Sequence, residues 1–258
     1  MDNIAFINYL TKYFGNKVLN VLEETEKGVS INSSKIEAYN ITNAKTIDKC
    51  TDCIATKYRQ DLPFWITNYS NKKIMVIAQD AGKGIEDKKI NTVFDMHSFH
   101  LNEEKYLNKH RTHHKYVDLF RKITGKNNFL DDIYFTDIIK CAFSSDKSIN
   151  SNSCFCSNDI VQEINLVNPA SIVLMGTQAK SAFTNLMNQN KIDLKLIEAS
   201  STPINSKQSI KFYHMKTERF NVFFMPHFAG NLHVSNDFKD SFNNFKDKCC
   251  TYIKQSID

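Results

Sequence analysis

Five cysteines in the first two thirds of the chain have spacings that suit a metal site. They are Cys50, Cys53, Cys141, Cys154 and Cys156. Two thiolate pairs from separate loops can hold zinc or an iron–sulfur cluster. The second pair, however, is spaced C-x12-C or C-x14-C, unlike the paired knuckles of a zinc ribbon. The residues alone therefore leave three interpretations open: an iron–sulfur cluster, a zinc site, and unrelated reduced thiols.

Asp80 and His227 each follow a short apolar segment. Asp80 comes after KKIMVIAQ, and His227 comes after NVFFMP. If those segments are parallel strands, both residues lie at the edge where α/β folds bind ligands. There an aspartate can stabilise a cation or position water, and a histidine can stabilise an anionic leaving group. Taken singly, such residues are more often a turn-capping aspartate and a hydrogen-bonded surface histidine.

Four apolar segments predict the strands that position these residues. They are residues 72–79 (KKIMVIAQ), 133–140 (IYFTDIIK), 171–176 (SIVLMG) and 221–225 (NVFFM). Each is β-branched or aromatic without strict alternation, as expected when both sheet faces are covered. Helical patterns cover residues 4–24, 103–124, 158–166, 177–190 and 237–255. This order predicts an α/β fold, a three-layer α/β/α sandwich with a central, mostly parallel four-stranded sheet.

Length, composition and charge restrict the class of protein. The chain has 258 residues, of which 41% are hydrophobic and 24% charged, which is typical of a globular protein. Because no apolar run approaches about 18 residues, we expect no membrane span. The start, MDNIAFINYLTKYFGNK, predicts a helix rather than a secretion signal, so we expect a cytoplasmic protein. A net charge of +5 permits an anionic partner such as nucleic acid.

In their order along the chain, these motifs resemble the uracil-DNA glycosylase superfamily, most closely its iron–sulfur branch, family 4. That branch has C-x2-C, G-E-A-P-G, I-T-N-x-x-K-C, a fourth cysteine, a P-x-hydrophobic-strand-L-G segment and H-P-S. The counterparts are Cys50-x2-Cys53, Ala78-Gln79-Asp80-Ala81-Gly82, residues 135–141 (FTDIIKC), Cys156, residues 169–176 (PASIVLMG) and His227-Phe228-Ala229. We expect a single glycosylase-like domain over 1–258, with an N-terminal helical extension (1–45), a core (46–232) and a C-terminal helix (233–258).

The resemblance implies roles for individual residues. Asp80 and His227 are the expected catalytic residues. Base binding is expected of Gln79, Phe94, Asp137 and Asn231. Leu232 is either the wedge that fills the vacated base stack or an ordinary core or surface leucine. The expected ligands of a 4Fe–4S cluster are Cys50, Cys53, Cys141 and Cys156, with zinc as the alternative metal and Cys154 as the alternative fourth ligand.

Departures from the family pattern bear on the substrate. Gln79-Asp80 resembles the Gln-Asp of the main uracil-DNA glycosylase family, whose aspartate orients the attacking water, and Phe228-Ala229 replaces Pro-Ser. Asp137 stands where the family has its base-reading asparagine. An ionised aspartate only accepts hydrogen bonds, which suits the N4 amino group of cytosine and repels uracil O4. A buried, protonated aspartate would instead donate to O4.

The resemblance thus implies a DNA-binding, monofunctional glycosylase that extrudes a pyrimidine nucleotide and hydrolyses its N-glycosidic bond; we expect a monomer. One interpretation gives it a modified cytosine of foreign, phage-type DNA as substrate, as in anti-phage glycosylases. Another makes it a uracil-DNA glycosylase of base-excision repair. A third, from a different class, is a non-catalytic iron–sulfur module that binds DNA. The presence of both Asp80 and His227 favours an enzyme.

Overall fold

The structure is a computed structural model that describes residues 3–32, 35, 65, 67–80, 102–109, 114–140, 159–226 and 234–258. It begins with helix α1 (Asn3–Phe14), a 3-10 turn (Asn16–Val21) and a hairpin of β1 (Leu22–Thr25) and β2 (Gly28–Ile31). The predicted helix over 4–24 is therefore wrong in its second half. Gly15 has a φ of 67° and a ψ of 178°, a backbone conformation that is outside the helical region and favours glycine.

Six of the described strands form the central sheet. They are β3 (Ile74–Asp80), β4 (Ile133–Ile139), β5 (Ser171–Met175), β6 (Lys195–Pro203), β7 (Ser209–Lys216) and β8 (Asn221–Met225). Their spatial order is β4-β3-β5-β8-β7-β6. Strands β3, β4, β5 and β8 are mutually parallel, which confirms the predicted strands. Strands β7 and β6 extend the sheet in antiparallel pairing.

The sheet has six described strands, so the predicted number of four is wrong. The prediction missed β6 and β7 because these strands lack continuous apolar sequence. In β7, for example, Lys211 is exposed between the buried residues Ile210 and Phe212. Such alternation is typical of antiparallel strands that are covered only in part. The prediction relied on runs buried on both faces, so it missed this hairpin.

Helices cover both faces of the sheet. They are α2 (Glu103–Lys109), α3 (His114–Thr124), α4 (Ile160–Val167), α5 (Thr177–Gln189) and α6 (Lys239–Gln255), together with α1. Ring contacts place α3 and α6 on one face: Phe120 meets Phe135 of β4, and Tyr252 meets Phe212 of β7. Helices α1, α4 and α5 cover the other face, which confirms the three-layer sandwich. Residues 110–113, within the predicted helix over 103–124, lie outside the described residues.

An aromatic cluster joins the N-terminal elements to the sheet. Phe6 of α1 stacks on Tyr69 with 3.7 Å between ring centroids and meets Trp65 edge-on at 5.1 Å. Trp65 stacks on Tyr134 of β4 at 5.6 Å and donates a hydrogen bond from Nε1 to the Val29 carbonyl at 2.9 Å. All four rings are buried, so α1 and the β1–β2 hairpin share the core of the sheet. No helix within the described ranges is long and apolar enough to span a membrane.

Candidate active site

The last residues of β3, β4, β5 and β8 define what we call the carboxyl edge of the sheet. Asp80 is the final residue of β3 and pairs with Ile139 of β4, while Ala78 pairs with Asp137. Asp137 is therefore one strand away from Asp80 and two residues back from the edge. With about 4.8 Å between strands and 3.3 Å per residue, the two Cα atoms are about 8 Å apart. The structure thus brings the backbones of these two predicted site residues together.

Asp137 is half-buried on the sheet face that α3 covers. Phe135, two residues earlier on the same face, packs against Phe120 of α3 with 5.1 Å between ring centroids. The intervening Thr136 and the following Ile138 are buried on the opposite face. Because successive strand residues alternate between faces, a one-residue change of register would remove Asp137 from this position.

Strand β5 separates the strand of Asp80 from β8 in the sheet order. Two strand spacings and a stagger of two residues put about 12 Å between the ends of β3 and β8. Gly176, directly after β5, has a φ of 92° and donates its N–H to the Met225 carbonyl at 3.0 Å. That conformation favours glycine, so the position directly after β5 carries no side chain.

The predicted site residues differ in how far the structure describes them. It describes the backbone of Gln79 and Asp80 in β3, and Asp137 with its side chain in β4. Phe94, His227, Asn231 and Leu232 lie outside the described residues, so their roles stay predictions. His227 directly follows Pro226, which is described just beyond β8.

A buried ionic cluster that the sequence analysis missed lies at the end of β4. Lys140 Nζ contacts Glu163 Oε2 of α4 at 2.5 Å, and it also donates to the Thr136 hydroxyl. The hydroxyl groups of Tyr9 and Tyr134 donate to the same carboxylate at 3.1 and 2.8 Å. Lys140 is 1% exposed and Glu163 is fully buried. The carboxylate therefore joins α1, β4 and α4 in a single polar network.

The network perturbs its two tyrosines. Burial, and then the negative charge of Glu163, raise the pKa values of Tyr9 and Tyr134 well above that of a free tyrosine. Both hydroxyl groups consequently stay protonated and remain donors to the carboxylate throughout the physiological range. A buried carboxylate needs such donors, because an uncompensated buried charge is costly.

The predicted metal ligands Cys50, Cys53, Cys141 and Cys156, and the alternative Cys154, lie outside the described residues. Two flanking residues are described: Lys140, directly before Cys141, and Asp159, three residues after Cys156. The contact between Lys140 and Glu163 joins the strand and the helix from which the segment 141–158 departs. Four cysteine thiolates are a donor set that fits zinc or an iron–sulfur cluster. In the described part of the chain, no group of three or more His, Cys, Asp or Glu residues is placed to hold a metal ion.

Cys249 and Cys250 are described, and both are buried in α6. Burial raises the pKa of both thiols, that of Cys250 to about 11. Since the thiolate is the form that binds metals and attacks electrophiles, these two cysteines are unreactive core residues.

Comparison with known proteins identifies the family. The model of the uracil DNA glycosylase superfamily matches residues 64–251, well over half of the chain. The match includes the whole central sheet, with Asp80, Asp137 and the segment that holds His227. A comparison with curated proteins found no match. The protein whose sheet carries Asp80 and Asp137 at one edge belongs to the uracil-DNA glycosylase superfamily.

Proposed function

We propose that the protein is a monofunctional DNA glycosylase of the iron–sulfur branch, family 4, and that it hydrolyses the N-glycosidic bond of a flipped pyrimidine. Its superfamily indicates a DNA-binding hydrolase of the glycosylase type. The strand register carries the proposal, because it sets Asp80 and Asp137 on adjacent strands at the carboxyl edge. Ligands of such folds bind beyond that edge. Asp80, proposed to stabilise the sugar cation, is thereby next to the strand position of Asp137, proposed to bind the base.

In the proposed reaction the target nucleotide first leaves the duplex, since a stacked base cannot reach the site. Cleavage of the glycosidic bond then develops positive charge on the sugar and negative charge on the leaving base. Asp80 stabilises the oxocarbenium-like sugar and aligns a water molecule for attack. His227 donates a hydrogen bond to base O2 as negative charge builds there. Addition of water to the sugar leaves an abasic site and the free base.

The proposed reaction uses water and no lysine nucleophile. Lys140, three residues after Asp137, is buried and paired with Glu163. A lysine must reach the sugar to form a Schiff base, and the Nζ atom of Lys140 is held by Glu163 instead. This supports hydrolysis without strand cleavage.

The substrate we propose is a modified cytosine of foreign DNA, with a role in antiviral defence. An ionised Asp137 accepts a hydrogen bond from a cytosine-type N4 amino group and repels uracil O4. Excision of ordinary cytosine would destroy the host genome, so a modification must mark the target. Uracil repair is the alternative substrate and role, and it requires Asp137 to be protonated so that it donates to O4.

An abasic-site assay tests the proposed activity. The protein is incubated with labelled duplexes that contain cytosine, uracil, hydroxymethylcytosine or glucosylated hydroxymethylcytosine, and each sample is split before alkali treatment. We expect strand breaks only after alkali and only with a modified cytosine. The Asp80→Asn/His227→Ala double variant, purified in parallel, controls for contaminating glycosylases. DNA binding without abasic sites on any duplex would replace the enzyme with a non-catalytic binding module.

We further propose that Cys50, Cys53, Cys141 and Cys156 hold a 4Fe–4S cluster, with zinc as the alternative metal. When bound, the cluster would link the sequence around Cys50 to the segment after Cys141. Hydrolysis of the N-glycosidic bond needs no electron from it. The buried contact between Lys140 and Glu163 supports this proposal because it holds the two ends of the segment 141–158 in fixed positions.

Two serine substitutions in one short segment test the cluster. Cys156→Ser removes a proposed ligand, and Cys154→Ser is its matched control two residues away. Anaerobically purified wild-type protein and the Cys154→Ser variant should contain iron and acid-labile sulfide, and Cys156→Ser should lose most of both. If Cys154→Ser loses the iron and sulfide and Cys156→Ser keeps them, Cys154 is the fourth ligand in place of Cys156. Stoichiometric zinc without sulfide would give a structural zinc site, and protein without any metal would refute the proposal.

A further inference from the structure

The hairpin of β6 and β7 projects past the carboxyl edge of the sheet. Its last described pair with β8 is Tyr213 with Phe224, near the end of β8. Pairing between β6 and β7 continues beyond that point to Pro203 and Ser209. The four residue-to-residue steps from Tyr213 to Ser209 correspond to about 13 Å of strand. The tip of the hairpin is therefore on the same side of the sheet as the site edge.

The tip is a hydrogen-bonded turn that also contacts the chain at Ser235. The Asn205 side-chain oxygen accepts hydrogen bonds from the backbone N–H groups of Lys207 and Gln208, each at 2.9 Å. Ser235 donates its backbone N–H to the Ile204 carbonyl at 2.9 Å. Ser235 therefore lies at the hairpin tip, while Pro226 lies at the end of β8. The tip projects beyond the same carboxyl edge at which we propose the site.

The projecting part of the hairpin is basic. Lys207 in the turn and Lys211 on β7 are exposed, and neither is in an ion pair with another described residue. Residues 199–216 contain no aspartate or glutamate. Lys180, in the first turn of α5, places Nζ 3.5 Å from the ring centroid of Tyr213, and Lys211 shares the sheet face of Tyr213. Three positive charges therefore follow one another from α5 to the tip.

We propose that this basic hairpin, with Lys207 and Lys211, binds phosphates of the DNA that flanks the extruded nucleotide, together with Lys180 of the adjacent helix α5. The proposal rests on the proposed DNA glycosylase function, and it adds a surface outside the site that acts on the base. Cations that neutralise phosphates release counterions, so binding weakens with salt in proportion to the number of contacts. Such contacts fix the position of DNA without reading its sequence.

The same hairpin provides a matched control at its opposite end. Lys195 and Lys216 are exposed, pair with each other across β6 and β7, and lie far from the tip. Lys195 has only a loose contact of 3.7 Å with Asp193, and both side chains are about three quarters exposed (75% and 73%). The double variants Lys207→Gln/Lys211→Gln and Lys195→Gln/Lys216→Gln therefore remove the same charge from opposite ends of the same hairpin.

Binding of a fluorescein-labelled duplex of ordinary bases is measured by anisotropy over a series of salt concentrations. For the tip variant, the slope of log K against log salt should become shallower by roughly 1.8, because about 0.9 is lost for each phosphate contact to duplex DNA. The control variant should keep the wild-type slope. Equal slopes for the two variants, or a wild-type slope in the tip variant, would refute the basic hairpin as a DNA surface.

The abasic-site assay separates this outcome from failure of the proposed function. If the wild-type protein excises a base while the tip variant keeps the wild-type slope, the enzyme assignment stands and the hairpin proposal is refuted. If no duplex acquires abasic sites but only the tip variant has a shallower slope, the hairpin binds DNA and the catalytic proposal fails. Failure of the wild-type protein to bind duplex DNA would refute both.

Discussion

Among the described residues, each edge of the parallel sheet buries one lysine, but the two lysines have different hydrogen-bond partners. At the amino edge, where β3 and β4 begin, Lys72 is 2% exposed and donates to the carbonyl groups of Leu130 and Asp131, both at 2.9 Å, and to the Thr67 hydroxyl at 3.0 Å. At the carboxyl edge, Lys140 contacts the carboxylate of Glu163. Neutral oxygens surround one lysine, and a full counter-charge meets the other.

The pKa of Lys72 reflects its neutral partners. Burial lowers it to about 8, against the smaller opposing attraction of Asp131 and Asp132. The lysine fastens the turn before β4 to the start of β3, and no predicted site residue lies there. The ionic cluster of Lys140 lies instead between Asp137 and the segment with Cys141 and Cys156. The comparison teaches that neutral oxygens can hold a buried lysine within one edge, whereas the counter-charge of Lys140 also joins the end of β4, the strand of Asp137, to α4.

Removal of the counter-charge at the carboxyl edge should have the largest effect on stability. Glu163→Gln leaves Lys140 buried without a carboxylate, and breaking a buried pair in this way typically costs about 3–5 kcal/mol. Urea unfolding of the variant and the wild-type protein measures the difference.

Asp247→Asn is the control for that measurement. It removes the partner of Lys122 in an ion pair of 2.6 Å whose side chains are half exposed, and exposed pairs contribute about 0–1 kcal/mol. Equal losses in the two variants would show that burial does not distinguish the cluster at the carboxyl edge from a surface pair.

Asp80→Asn should separate activity from stability. The substitution removes the charge that stabilises the sugar cation but nearly keeps the shape, and loss of one such electrostatic contact costs about 100- to 1000-fold in rate. Single-turnover excision measures the rate, and urea unfolding should show little change. His227→Ala, which removes the donor to the leaving base, should be similarly slow. Near-normal excision by both variants would mean that the site is not at the carboxyl edge.

The sequence predicts the parallel strands well because each is buried on both faces, as in β5, where all five residues are buried. It does not predict β6, whose adjacent Leu196 and Ile197 are both exposed beside a register shift.

Asp137 is recognised from its motif, but its position next to Asp80 depends on the strand order. Lys140 and Glu163 are 23 residues apart, and each alone resembles a surface charge. Two features of the sequence indicate that these residues are buried: Lys140 ends the apolar run IYFTDIIK, and Glu163 lies within the apolar segment IVQEINLV.

Alkaline pH should reveal the effect of burial on Lys72. The folded-state pKa of Lys72 is about 8 and the reference value is 10.5, so the unfolded chain holds more protons between these values. Stability should therefore rise with pH, by about 2 kcal/mol between about pH 7.5 and 9.5 for this group. Urea unfolding across this range, compared with Lys72→Met, isolates the contribution. A rise that persists in Lys72→Met would assign it to other groups.

The smallest expected effect concerns the base that the carboxyl edge accepts. If Asp137 is ionised and accepts from a cytosine-type N4 amino group, Asp137→Asn restores the donor that uracil O4 needs. A single contact of this kind changes selectivity on the order of tenfold. The variant should lose activity on modified cytosine and gain it on uracil, as measured by excision from paired duplexes that differ only in the target base.

A pH series with the same duplexes decides between the two states of Asp137. If the aspartate is protonated and already donates to O4, the wild-type protein cuts uracil, and its rate falls as pH rises and the proton is lost. The asparagine variant has no proton to lose, so its rate on uracil should remain when that of the wild-type protein has fallen. An ionised aspartate predicts a wild-type protein that is poor on uracil at every pH and a variant that is better. If the substitution changes neither the preferred base nor the pH profile, Asp137 does not read the base. The half-buried position on β4 would then serve the packing of the carboxyl edge, and the choice of substrate would depend on other residues.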